Sequence, residues 1–193
     1  MRPPQRYKDP GTQRECEPIY RVKVNYEEHY SRRTEHMQRF QQETVINRPV
    51  EEVFDFVTNA RNEPRYNPRI LSAEQTTSGP IERGTHFVLV SKAMGRRMSV
   101  EYEVTAYERP RRLRSRTIRG LPFMDVESTE TFEPFGGGTR MRWVWEVKPR
   151  GAAGRLMTPV LVRMLGRRLE RAFANIKRVL EGEAFTARMD DRV

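Results

Sequence analysis

Arg39-Phe40-Gln41-Gln42-Glu43-Thr44-Val45-Ile46 runs into Asn47-Arg48-Pro49 and then into Val50-Glu51-Glu52-Val53-Phe54-Asp55-Phe56-Val57, opening an ordered series of signals that reaches Glu181. In the first stretch Phe40, Gln42, Thr44 and Ile46 alternate with Gln41, Glu43 and Val45, the two-residue repeat of a strand with one buried face. Pro49 interrupts it, because proline lacks a backbone donor and its fixed φ suits the first turn of a helix. Val53, Phe54 and Val57 then recur at helical spacing, with Glu51 and Glu52 in the first turn, where the helix dipole favours acids. Asn59 to Pro68 holds two prolines and leaves room only for a short irregular helix.

Beyond that point the period returns to two. Strands are predicted over Ile70–Thr77, Thr85–Lys92, Met98–Tyr107, Leu113–Arg119, Met124–Phe132 and Met141–Val147. In the third of these Val100, Tyr102, Val104 and Ala106 oppose Glu101, Glu103 and Thr105, the pattern of an antiparallel strand with one wet face. Val126, Ser128, Glu130 and Phe132 share a face of the next but one, and Trp143 and Trp145 share a face of the last. Gly136-Gly137-Gly138 supplies a permissive hairpin turn. A closing helix is predicted to start with Thr158 as cap and Pro159 at its first position, and to end at Gly182. Its apolar stripe is Leu161, Leu165, Leu169, Ala172, Ile176 and Leu180, flanked by arginines.

Composition bounds the rest. The chain has 193 residues, a formal net charge of +10 and a single cysteine, Cys16. One cysteine allows no internal disulfide and no cysteine-based metal site. His29, His36 and His86 show no ligand spacing, so neither a metal nor a cofactor is expected. No run of 18 apolar residues is present to suggest a transmembrane helix, and Met1–Pro10 lacks the apolar core of a signal peptide; the expected location is cytoplasmic. Residues 1–36 read as a partly disordered N-terminal extension, with a possible short strand over Ile19–Tyr26; residues 37–182 read as the domain and 183–193 as a tail. The extension carries eight basic against six acidic residues, so the excess positive charge belongs to the domain. Arg-rich faces would suit an anionic membrane surface, whereas no nucleic-acid-binding module is present and such binding is not expected.

Several short strings arrive in a telling order: Pro49-Val50-Glu51-Glu52-Val53-Phe54, Arg65-Tyr66-Asn67-Pro68-Arg69-Ile70, Ser78-Gly79-Pro80, Gly84-Thr85, Glu108-Arg109-Pro110-Arg111-Arg112-Leu113, Phe132-Glu133-Pro134, Gly138-Thr139 and Ile176-Lys177-Arg178-Val179-Leu180-Glu181. Together they resemble the START-like, Bet v 1-like superfamily (SRPBCC), on its polyketide cyclase/dehydrase and lipid-transport branch. The resemblance implies an α+β helix-grip fold: a seven-stranded curved antiparallel sheet around a long C-terminal helix, with two short helices after strand one. It also implies a cavity for a lipid, polyketide, sterol, quinone or other small apolar or aromatic ligand. It brings no family-wide catalytic motif.

The cavity is expected to be lined by Tyr66, Phe87, Leu89, Tyr102, Val104, Phe132, Trp143, Trp145, Met157, Leu161, Met164 and Leu165. An inward Glu130 would be desolvated and raised in pKa, a possible general acid or base, with Ser128 and Tyr102 as companions. The bland alternative is a reversed register, or pairing of Glu130 with Arg114 or Arg116. Trp143 and Trp145 would offer flat apolar contact to a ring, or else serve as plain core; Tyr66 stands at the mouth or acts as a plug. Three functions follow: a binding or carrier protein, a cyclase/dehydratase using Glu130, Ser128 or Tyr102, and an interaction protein using its basic surface. A hydrogen bond from Glu130 to Ser128 or Tyr102 would favour the enzyme, a dry apolar cavity the carrier, and a collapsed one the third.

Overall fold

The computed structural model describes residues 37–93 and 96–182, with 93, 159 and 161–169 described by backbone alone. In chain order these form β1 (Gln38–Ile46), α1 (Val50–Thr58), a 3-10 turn (Ala60–Asn62), α2 (Glu63–Tyr66), β2 (Ile70–Gln75), β3 (His86–Ala93), β4 (Arg96–Glu108), β5 (Arg112–Arg119), β6 (Met124–Phe135), β7 (Gly138–Pro149) and α3 (Gly151–Glu181). The sheet order is β1-β7-β6-β5-β4-β3-β2, with every neighbouring pair antiparallel. Consecutive strands β1 and β2 thus lie at opposite edges, and α1, the 3-10 turn and α2 span one end of the sheet between them. This is the helix-grip α+β architecture. The extension 1–36, including Ile19–Tyr26, and the tail 183–193 lie outside the described residues. Among the described residues no helix is long and apolar enough to cross a membrane.

Local chemistry sets the junctions. Gly136 and Gly137 have φ of 57° and 85°, as a two-residue hairpin whose twist matches its strands requires. Gly138 follows without a side chain because a Cβ there would lie 2.4 Å from the carbonyl oxygen of Ile46. The final turns of α3 are tied to the β1–α1 junction. Lys177 Nζ donates to the carbonyl of Val45 at 2.7 Å, Arg48 Nε to that of Leu180 at 2.6 Å, and the Asn47 amide to Glu181 Oε1 at 2.7 Å. Asn175 Nδ2 donates to the carbonyl of Tyr66 at 2.9 Å and fastens α2 to the same helix.

Burial follows the predicted faces on β1 and α1: Phe40, Gln42 and Ile46 are buried, as are Val53, Phe54 and Val57. On α3, Ala172, Ile176 and Leu180 are buried as the stripe requires, and Phe173 joins them. Leu161, Leu165 and Leu169 of that stripe fall where only backbone is described. The core is divided in three. One cluster joins α1, α2 and the end of α3 around Phe54 and Ile176, a second gathers Ala60, Phe87, Val104 and Leu113, and a third holds Phe40, Met124 and Val147.

Two expectations are corrected. The closing helix starts at Gly151, seven residues before the predicted cap, so Thr158 is an interior residue. Its hydroxyl donates back to the carbonyl of Gly154 at 2.6 Å and is fully buried. Packing overrides the cap-and-proline signal here: a Cβ on Gly154 would lie 2.4 Å from the Phe123 carbonyl oxygen, so glycine lets the first turns press onto the β5–β6 connection. The second correction is in β4. The register shifts between Val104 and Ala106, a bulge at Thr105, so the inward residue after Val104 is Tyr107 rather than Ala106. Tyr107 meets Phe54 edge-on, with ring centroids 5.3 Å apart.

This packing predicts that Ile176→Ala costs about 2–5 kcal/mol of unfolding free energy, as for a fully buried aliphatic residue. Arg171→Ala, on the exposed side, should stay within about 0.5 kcal/mol. Denaturant titration of both variants checks the phase of α3; equal losses would refute it.

Candidate functional site

Strand register lays the polar candidates in two adjoining rows on the inner face. The first runs Gln42–Trp143–Glu130–Leu113–Tyr107 across β1, β7, β6, β5 and β4. The second runs Phe40–Trp145–Ser128–Ser115–Val104 across the same strands. Gln42 and Glu130 are 4% and 6% exposed, so an amide and a carboxyl lie in the interior on either side of an indole.

Few protein groups meet them. The Trp143 indole N–H donates to Ser128 Oγ, engaging the hydroxyl that was the expected partner of Glu130. Among the described residues, Glu130 Oε2, both polar atoms of the Gln42 amide and the indole nitrogen of Trp145 are buried without a hydrogen-bond partner. Each such group costs about 1–3 kcal/mol unless water or a guest supplies the bond. Arg114 and Arg116, the alternative partners for Glu130, face the other way and pair with Glu127 and Glu103. They belong to an outer-face ladder in which Arg112 pairs with Glu108, and Arg140 and Arg142 with Glu43. The strand arginines are thus largely matched by acids across the strands, while those flanking the closing helix at 163, 167 and 168 fall where only backbone is described.

Sequence reasoning missed Glu63. It opens α2, one helical turn before Tyr66, and that three-residue spacing was the available signal. Glu63 and Tyr102 are surrounded by protein but only partly buried. Burial raises the Glu63 carboxyl to about 7. Burial, and then the charge of Glu63, raises Glu130 to about 8. The phenols of Tyr66 and Tyr102 are pushed well above their usual value by burial and by both carboxyls. At neutral pH the interior therefore holds a protonated Glu130, able to donate as well as accept, beside two neutral phenols.

The remaining candidates fall into groups. Trp143 and Trp145 are half-buried, edge to face at 5.7 Å, and Trp143 also meets Phe173 at 5.7 Å. Tyr102 stacks on Phe87 at 5.4 Å, with Leu89 partly buried nearby. Tyr66, Val104 and Phe132 are packed core residues, Tyr66 serving as a plug between α2 and α3. Met157 is 44% exposed and belongs to none of the core clusters. The side chains of Leu161, Met164 and Leu165 lie outside the described residues. No group of three or more His, Cys, Asp or Glu side chains among the described residues is placed to hold a metal.

A cleft of about 590 Å³ opens beside α1 and the 3-10 turn, lined by Ala60, Ile81, Phe87 and Tyr107 with Asp55 and Arg109 at its side, and it shares Tyr107 with the first inner row. Several of its polar groups are already engaged. Arg109 grips Asp55 through two 2.7 Å bonds, Gln75 Nε2 donates to the carbonyls of Thr77 and Gly79, and Thr58 donates to that of Phe54. On the inner face, the buried atoms without a hydrogen-bond partner among the described residues are those of Gln42, Glu130 and Trp145.

The buried acid has a sign. A carboxyl whose pKa is higher folded than unfolded binds its proton more tightly in the folded chain. Its burial is thus unpenalised below the ordinary 4.5, and stability falls as pH rises from there to about 8. Glu130→Gln should remove much of that slope. Thermal melts across this window should show the variant gaining on the native protein as pH rises; a constant difference would mean that Glu130 is not buried as an acid.

Comparison with known proteins agrees with this geometry. The polyketide cyclase/dehydrase and lipid transport family matches residues 37–181. Among solved structures, a START superfamily protein from Mycobacterium smegmatis is 14% identical and superposes with a TM-score of 0.63, covering 76% of this chain and 99% of that one. A protein from Thermus thermophilus is 20% identical with a TM-score of 0.64, again covering 76% and 99%. The di-domain ARO/CYC StfQ from the steffimycin biosynthetic pathway is 11% identical with a TM-score of 0.65, covering 76% of this chain and 52% of that one. At these identities the likeness is one of fold. Comparison with curated proteins gives no match. The match over residues 37–181 takes in both the sheet rows and the helix that faces them, and the chain belongs to the polyketide cyclase/dehydrase and lipid transport family.

Proposed function

We propose that this protein binds a small, mostly apolar or aromatic molecule bearing a hydroxyl or carbonyl group, held between the sheet and α3. The observation that carries the reading is the set of unpaired buried polar atoms on Gln42, Glu130 and Trp145, grouped beside half-buried aromatic rings. The rings offer flat apolar area, and the polar atoms reward a guest that completes their hydrogen bonds. A wholly apolar guest would leave them unmet, so this chemistry selects for an oxygenated one. The paired arginines of the outer face give less support to a reading as an interaction protein acting through a basic surface.

A second reading, a cyclase or dehydratase of aromatic polyketides, has its own support. Glu130, raised to about 8, carries a proton at neutral pH and could deliver it to a carbonyl or a departing hydroxyl. Ser128 is engaged by Trp143, and no hydrogen bond joins Glu130 to Tyr102 among the described residues, so the arrangement favours recognition over proton relay. With a polyketide substrate, Glu130→Gln would lower the rate by about 10²–10⁴-fold on the catalytic reading. Unchanged turnover would leave Glu130 as a recognition group.

Paired probes test the binding reading. Tryptophan fluorescence is titrated with 2-naphthol and with naphthalene, which differ by one hydroxyl. The native protein should prefer 2-naphthol by roughly fivefold to tenfold, the worth of one net hydrogen bond of about 1–1.5 kcal/mol. Glu130→Gln should keep that preference, Glu130→Leu should lose it, and Trp143→Ala should weaken both ligands. Equal affinities in the native protein, or a preference that survives Glu130→Leu, would overturn the assignment.

A further inference from the structure

The β3–β4, β5–β6 and β7–α3 connections leave the same end of the sheet, because β3 to β7 are successive antiparallel neighbours. They are packed against one another. A Cβ on Gly120 would collide with the carbonyl oxygen of Ser99, so the end of β5 presses on the start of β4. The Arg150 amide donates to the carbonyl of Phe123 at 2.7 Å, and its guanidinium donates to that of Leu121 at 2.6 Å. With Gly154 close against Phe123, these segments and the first turns of α3 form one continuous surface.

Two kinds of side chain collect there. Among the described residues, six of the nine large hydrophobics that are exposed belong to this end: Met98, Ile118, Phe123, Leu156, Met157 and Val160. Leu156 and Val160 are the most exposed of all, at 78% and 66%. The charges are of one sign. Residues 91–99, 118–124 and 148–160 hold seven basic residues and no acidic one. Acids from flanking positions reach two of the seven: Asp125, opposite Lys148, pairs with Arg150 at 3.3 Å, and Glu101 lies 3.9 Å from Arg119. Lys92, Arg96 and Arg97 are exposed and have no ion pair among the described residues. Lys92 and Arg97 even stand directly opposite each other on β3 and β4, a position where like charges repel. The outer face of the sheet is different, because its strand arginines are matched by acids.

Unmatched cations beside single exposed apolar side chains suit a partner that is anionic at its surface and apolar just beneath it. A bilayer with acidic headgroups has that order. A second copy of the chain would bring the same cations to the contact and no acid from these segments. An acidic polypeptide would meet the charges but would not by itself meet the apolar side chains. We infer that this end of the molecule docks on an anionic membrane surface, with Lys92, Arg96 and Arg97 among the headgroups and Phe123, Leu156 and Val160 inserted between them. The inference does not rest on what the interior binds.

The full chain is sedimented with vesicles of phosphatidylcholine, or of equal parts phosphatidylcholine and phosphatidylserine. It should bind the mixed vesicles and leave the neutral ones in solution. Lys92→Gln, Arg96→Gln and Arg97→Gln together should weaken binding by about 100-fold, from the worth of three cations at an anionic surface. Phe123→Ser with Leu156→Ser should weaken it by about tenfold or more. All five side chains are exposed, so these variants keep the fold. The control removes the same charge from the other end of the strands. Arg61→Gln, Arg83→Gln and Arg111→Gln together should change binding by less than about threefold, because distant exposed charges are screened. No binding to the mixed vesicles, or equal losses in the two charge variants, would overturn the inference. So would binding that is indifferent to Phe123→Ser with Leu156→Ser and is displaced by polyglutamate, which would assign the surface to an acidic polypeptide. Dimers in ultracentrifugation that those two substitutions abolish would assign it to a second copy.

Discussion

The structure depends on one helix being held to a curved sheet at both of its ends. At the C-terminal end, Lys177, Arg48 and Asn47 exchange hydrogen bonds between α3 and the β1–α1 junction, and Ile176 is sealed in the largest core cluster. At the N-terminal end, Gly154 lies against the Phe123 backbone at a separation that no side chain could share. Between these anchors the inner sheet surface carries the rows containing Gln42, Trp143, Glu130, Trp145 and Ser128. Because the anchors account for the attachment, the middle of the sheet is free to keep groups that a simple core would exclude.

Those groups are costly, and the cost is informative. A carboxyl raised to about 8 and a second raised to about 7 would destabilise an ordinary domain at neutral pH. Replacing Glu130 by a hydrophobic residue would remove the penalty, and the same holds for the unpaired amide of Gln42. Such departures from an optimal interior concentrate where a protein meets a ligand. Glu63 adds a second element to this arrangement, because α2 is fastened to α3 through Tyr66 and Asn175. Burial sets the charge state of Glu63, and its charge in turn raises Glu130.

Most of the fold was legible in the residues. Alternation in β1, β6 and β7 set the inner faces correctly, since burial of Phe40, Glu130 and Met141 obeys the two-residue period. Two places were not legible, for physical reasons. Thr158-Pro159 carries the local chemistry of a helix start, yet the helix begins at Gly151, where Gly154 approaches Phe123 closely. The bulge at Thr105 shifts the inward position to Tyr107, and alternation by itself carries no mark of an extra residue. In the site, Glu130 was found because it shares a strand face with Phe132. Glu63 was missed because a four-residue helix with a proline inside it has too few turns to show a face. Which of the aromatics are core and which border the interior depends on sheet curvature, and curvature leaves little trace in a strand's sequence.

The proposed function rests on where an oxygenated aromatic guest would sit. Intermolecular nuclear Overhauser effects in the complex with 2-naphthol measure that place directly. Contacts from the guest's ring protons to the indoles of Trp143 and Trp145 and to the ring of Tyr102 are the predicted result. Contacts confined to Ile81 and Ala60, in the cleft beside α1, would contradict it.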